Sequence, residues 1–204
     1  MAAEPRPGER VYHEIKQAIL VGEFALQQRL DIDRLAERFG VSATPVRHAL
    51  AILSSERLVR MHASRTYRVA FWSERELREL YEWRERLARW AAETYTVSTS
   101  SACILDPHDY AGSYLRLMQH VDANANGELR RASRAADDRL HAALRVERAA
   151  LGENAADLAP ISAALTRGAS ALAAALRKHF RRRLLHCDRI RSAAHATAMP
   201  RNGD

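Results

Sequence analysis

Cysteine is almost missing from this chain: Cys103 and Cys187 are the only two in 204 residues, and they lack Cys-x-x-Cys spacing. A disulfide framework is therefore not expected, and a reducing cytoplasm suits the composition. No apolar run approaches the length of a membrane span. The opening MAAEPRPGER is polar and carries proline, so residues 1–9 read as a flexible tail and not as a signal peptide. There is no nucleophile–base motif, phosphate-binding glycine loop or dinucleotide fingerprint, and nothing points to an enzyme. Strand signals and repeats are absent after residue 72.

Apolar residues and positive charge are plentiful. The hydrophobic fraction is 47%, enough for a sizeable core, and the length fits one large domain or two small ones. The net charge of +7 favours a polyanionic partner.

The most informative stretch runs from Leu30 to Val69. Leu30, Ile32, Leu35 and Phe39 fall at helical spacing, and Asp31 and Asp33 sit where first-turn acids favour the helix dipole. Gly40 can take the left-handed conformation that ends a helix. Ser42 then reads as an N-cap, with Pro45 in the first turn of a second helix. Val46, Leu50 and Leu53 continue inward at i, i+4, i+7, which leaves Ser42, Thr44, Arg47 and His48 near the exposed start of that helix. Leu58–Met61 and Tyr67–Ala70 read as two short strands around His62 and Arg65, a basic hairpin suited to phosphate or minor-groove contact. The whole is the plan of a winged helix-turn-helix, whose second helix meets base edges in the major groove.

These residues resemble the DNA-binding domain of the GntR family of bacterial transcription regulators. The resemblance is carried by YHEIKQAILVGEF, LAERFGVSATPVRHAL and LSSERLVRM. It implies operator DNA as partner and Ser42, Thr44, Arg47, His48, His62 and Arg65 as contact residues. The sequence departs from the family in three places: Ala43 stands where an arginine is usual, His48 where a glutamate is usual, and Ala63-Ser64 where a glycine is common. Capping remains an equal reading for Ser42 and Thr44.

The winged domain is expected over residues 10–71 and an all-helical domain over 72–204. Ser73 and Glu76 form a capping-box pattern that opens a helix over Glu74–Tyr95. Asp106-Pro107 is expected to open a second helix, and Glu128–Leu151 forms a third, ended by Gly152. A fourth runs from Asp157 past Leu185. The expected fold is mainly α, an N-terminal winged helix with a small hairpin followed by a helical bundle. Trp83 and Trp90, seven residues apart, read as core or dimer packing. The basic run RKHFRRRLLHCDRIR over 177–191 reads as a solvated helix face or a second phosphate-contacting patch.

The second half resembles the helical effector domain (FCD type) of the FadR subfamily, through ELRELYEWRERLARWAAETY and AADDRLHAALRVE. That resemblance implies a divalent metal, zinc or nickel, held by an Asp-x3-His pair and later histidines, with a small carboxylate effector over it. Asp137 and His141 match the pair. A spacing of four puts them on one helix face, and carboxylate plus imidazole suits such metals. His186 is the candidate third ligand, with His179 and His195 as rivals. The chain ends before the family's last helix and its histidine, so the set is expected to be incomplete or finished by another group. A hydrogen-bonded core histidine is the equal alternative for His141. Arg84 matches a family arginine that faces the effector, with a solvated ion-pair role as its alternative.

The expectation is a ligand-responsive, homodimeric transcriptional regulator in the cytoplasm. It would repress a metabolic operon and be released by a small carboxylate. The alternative is a regulator with a metal-free sensor that answers to another ligand or to none. An architectural DNA-binding protein would instead show little sequence preference.

Overall fold

The computed structural model describes residues 7–63, 66–97, 105–106, 108–152 and 155–198. The chain divides into two compact units, Met1–Phe71 with His195–Asp204, and Trp72–Ala194.

In the first unit, α1 (Pro7–Val21) begins inside the segment expected to be a tail. Proline fits a first helical position, where its missing N–H costs nothing. Val11, Ile15, Ala18 and Ile19 form its buried stripe, packed against α3. A two-residue strand β1 (Arg29–Leu30) precedes α2 (Ile32–Phe39) and α3 (Ala43–Ser55). The Asp31 carboxylate caps α2 by accepting from the Asp33 and Arg34 N–H groups at 3.0 and 3.2 Å. These backbone bonds, that to Arg34 foremost, hold its pKa below the usual carboxylate range. Gly40, at φ 63°, closes the helix, and the Val41 N–H returns to the Ala36 carbonyl at 3.0 Å.

β2 (Val59–Met61) and β3 (Tyr67–Val69) form the hairpin. The sheet has three antiparallel strands in the order β1-β3-β2. β1 was not expected: two residues are too few to show alternation, and Gln27 enters the strand from a left-handed φ of 65°. Leu30, Val59 and Val69 bury one face of the sheet against the core.

The regular elements of the second unit are all helices among its described residues. α4 (Glu74–Glu93) opens with the expected capping box: the Ser73 N–H donates to Glu76 Oε2 at 2.7 Å and the Glu76 N–H to Ser73 Oγ at 3.2 Å. α5 (Tyr110–Val121) starts later than expected, capped by Asp109, which accepts from the Gly112 N–H at 2.8 Å. A Cβ at position 112 would collide with that carboxylate. α6 (Gly127–Leu151) is capped by Asn126 and ended by Gly152 in the left-handed region.

The single last helix expected from Asp157 is instead a 3-10 turn (Ala155–Leu158), α7 (Ala159–Ala164), α8 (Ala169–Leu185) and α9 (Cys187–Ala198). Pro160 restarts the helix, Gly168 at φ 91° breaks it, and His186 leaves helical geometry between α8 and α9. Helix α4 packs on both α6 and α8, and α5 on α6.

Candidate nucleic-acid interface and buried charge network

The first unit presents the start of α3 to solvent. Val46, Ala49, Leu50 and Leu53 are fully buried, which fixes the rotation of the helix. Thr44, Arg47, His48 and Ala51 therefore share its exposed face at i, i+3, i+4, i+7. Ser42 has N-cap backbone geometry, but its side chain makes no capping bond. Its hydroxyl is exposed beside that face. Arg47 has no ion-pair partner among the described residues. His62 is exposed at the end of β2, and its N–H closes the wing on the Thr66 carbonyl at 2.9 Å. Arg65 lies outside the described residues.

The contact face is braced from behind. Glu56, the residue that ends α3, accepts from Tyr12 Oη at 2.5 Å and from Lys16 Nζ at 3.0 Å, so α1 holds the far end of the helix. Burial and the Glu56 carboxylate raise the Tyr12 phenol above its usual range.

In the second unit a group of charged and polar side chains is buried. Arg84 falls in the middle of the apolar stripe of α4, between Leu77, Leu80 and Tyr81 on one side and Leu87, Ala88 and Ala91 on the other. Its guanidinium is fully buried. Nε donates to Asp137 Oδ1 at 2.7 Å, while Nη2 donates to Asp137 Oδ2 at 3.2 Å and to Asp122 Oδ2 at 3.0 Å. Tyr114 Oη donates to Asp137 Oδ1 at 3.4 Å. Burial raises the Asp137 and Asp122 carboxyls and Arg84 opposes that rise. Burial acts to lower Arg84, but the carboxylates, Asp137 first, outweigh it and keep the guanidinium charged.

A second buried network joins Glu147 to Arg183 Nε at 3.0 Å, Tyr81 Oη at 2.5 Å and Tyr110 Oη at 3.0 Å. Arg183 also donates to the Tyr110 hydroxyl and to the His179 carbonyl. His179 stacks on Tyr114 with ring centroids 5.7 Å apart. Neither of its ring nitrogens has a hydrogen-bond partner. Burial, then the charges of Arg183 and Arg84, push its pKa well below the usual imidazole range.

The metal set expected from sequence does not come together. Asp137 is held by Arg84 through both oxygens. His141 Nδ1 lies 2.7 Å from the Asp138 carbonyl oxygen, its own helix's backbone. His186 sits half-buried at the end of α8, and His195 stacks on Phe71 in the first unit. No group of three or more His, Cys, Asp or Glu side chains suited to a metal occurs among the described residues. A guanidinium already supplies the positive charge a divalent ion would bring to Asp137, so these residues do not fit the metal.

Arg84, read as effector-facing or solvated, is neither exposed nor uncompensated; one nitrogen, Nη1, lacks a partner, as does Asp122 Oδ1. A cavity of about 380 Å³ adjoins this network, lined by Asp122, Asp137, Asp138, Arg130 and Arg134 with Leu115 and Gln119. Sequence reading missed Asp122, Arg130, Arg134, Glu147 and Arg183. Arg183 was legible: it continues the stripe of Leu172, Leu176 and Phe180, so it belongs to the buried face and not to a solvated basic one.

Residues 7–69 match the model for bacterial regulatory proteins of the gntR family. The match lies within the N-terminal unit and spans about a third of the chain. In sequence the chain is 34% identical over 76 residues to the HTH-type transcriptional repressor GlaR of Escherichia coli K12, a match spanning 37% of this chain and 34% of GlaR. The similarity thus covers about a third of that relative's length. In structure it resembles a Rhodococcus sp. RHA1 protein assigned as a GntR transcriptional regulator, with TM-score 0.77 and 19% identity over 88% of this chain and 96% of the other. It also resembles E. coli McbR/YncC, with TM-score 0.62 and 18% identity over 90% and 98%. At these identities the likeness is one of fold. No helix among the described residues is long and apolar enough to cross a membrane.

Proposed function

We propose that this chain is a cytoplasmic, ligand-responsive transcriptional repressor that binds operator DNA as a homodimer. The carrying observation is the exposed face of α3, where Thr44, Arg47 and His48 stand together with no structural task among the described residues. Arginine and histidine at the start of a recognition helix supply the donors that base edges accept. His62 and Arg65 in the wing contact the backbone or minor groove. Two copies would set two such helices about one DNA turn apart on a pseudo-palindrome. The exposed Trp83 and Trp90, 46% and 54% accessible on one side of α4, supply apolar area for the second copy.

The effector is a small carboxylate taken into the cavity beside Asp122 and Arg134. An acceptor oxygen there would meet the guanidinium groups of Arg130 and Arg134, which line the cavity. Binding is metal-free, because Arg84 supplies the charge at Asp137.

Selection of the full-length protein against a pool of random duplexes tests the DNA reading. A pseudo-palindrome with half-sites one turn apart is expected. Recovery of duplexes with no shared sequence overturns it in favour of an architectural DNA-binding protein.

A further inference from the structure

Strand register places three arginines in one line across the sheet. Arg29 of β1 is the Cα partner of Arg68 of β3, and Arg68 is in turn the partner of Arg60 of β2. All three are exposed, on the face opposite Leu30, Val59 and Val69. Side chains at paired positions lie side by side, and like charges placed so destabilise a sheet. Among the described residues neither Arg29 nor Arg68 has an ion-pair partner; Arg68 donates Nη1 to the Gln27 carbonyl at 2.9 Å. With strands about 4.8 Å apart, the row is roughly 10 Å long.

The row does not stand alone. Its β1 end opens on a cleft of about 150 Å³ whose walls include Arg29, Asp31, Thr66, Tyr67 and Arg47 of the recognition helix. The Asp31 carboxylate in that cleft is committed to capping α2. A basic track therefore runs from Arg47 across Arg29 and Arg68 to Arg60.

We propose that this arginine row is a sequence-independent phosphate-binding track, which grips the DNA backbone flanking the bases met by α3. The proposal rests on the DNA-binding reading above. A polyanion is the partner that turns the mutual repulsion of the row into attraction, and each phosphate neutralised releases condensed counterions. The row adds affinity for every sequence and no preference among them.

The test is binding of the full-length protein to a mixed-sequence duplex, measured between about 50 and 200 mM salt. Replacing the row together (Arg29→Gln, Arg60→Gln, Arg68→Gln) is expected to reduce the log–log salt slope by about 2 to 3. A fourfold rise in salt would then weaken the native protein about 40-fold more than the variant. The all-lysine version, Arg29→Lys, Arg60→Lys, Arg68→Lys, keeps the charge and is expected to keep the native slope. A native slope in the glutamine variant, or a lost slope in the lysine variant, overturns the proposal while leaving the recognition helix untouched. A native protein that binds no duplex at low salt overturns both readings.

Discussion

Arg84 and Asp137 are locked together inside the second unit by two bonds, Nε to Oδ1 at 2.7 Å and Nη2 to Oδ2 at 3.2 Å, with the guanidinium wholly out of solvent. Breaking such a pair by removing one member leaves an uncompensated charge in the interior, at a cost of about 3–5 kcal/mol. Asp137→Ala is expected to lower the unfolding free energy of the full chain by about that amount, less whatever Asp122 continues to offset. Arg84→Met combined with Asp137→Leu should cost less than the two single changes added. Denaturant titration of the four proteins gives the comparison; strictly additive losses would count against a coupled pair.

The same pair governs metal content. With both Asp137 oxygens engaged by Arg84 and His141 turned to a backbone carbonyl, the protein purified without chelator or affinity tag is expected to contain less than about a tenth of an equivalent of zinc or nickel, against the three protein ligands a stable site normally takes. Elemental analysis before and after incubation with each metal measures it. One equivalent per chain would restore the metal reading.

Much of the first unit was legible because its signals are local. A left-handed glycine and an i, i+4, i+7 stripe each lie within a few residues, and the structure has Gly40 and Val46–Leu53 in those roles. The caps differ from expectation: Asp31, read as a first-turn acid, caps α2, while Ser42 makes no side-chain capping bond. The arginine row was not, since Arg29 meets Arg68 only through a strand pairing across 39 residues that no local pattern encodes. In the second unit the helix carrying Asp137 and His141 was foreseen, but not the destination of its carboxylate. Two residues at i, i+4 share a face whether they bind a metal or separate partners. What decided between them was Arg84, brought from α4, and a sequence does not state which helices pack.

His179 predicts a pH dependence. Its imidazole is neutral and buried in the folded chain, with a pKa well below its usual value, whereas in the unfolded chain it titrates near about 6.5. Below that pH the unfolded state binds a proton that the folded state refuses, so stability is full above about 6.5 and falls on acidification, at up to about 1.4 kcal/mol per pH unit. His179→Phe keeps a ring against Tyr114, removes two unpartnered nitrogens and is expected to flatten this decline. Unfolding curves between about pH 5 and pH 7 would read it out. An unchanged slope would mean that His179 is hydrated and titrates freely.

Trp83 and Trp90 should mark the contact with a second copy. Light scattering is expected to give a dimer mass at micromolar concentration for the native chain. Trp83→Glu with Trp90→Glu should give a monomer that keeps its helical circular dichroism. A dimer that survives both changes would move the interface elsewhere.

The face of α3 bears the most weight, and Arg47 is its most direct probe. With the selected operator in hand, Arg47→Ala is expected to lose about 1–3 kcal/mol of specific binding, about 5- to 150-fold, in a quantitative shift assay. Affinity for unrelated duplex should be nearly unchanged. Equal operator affinity for Arg47→Ala and the native protein would contradict the assignment of α3 as the helix that reads DNA.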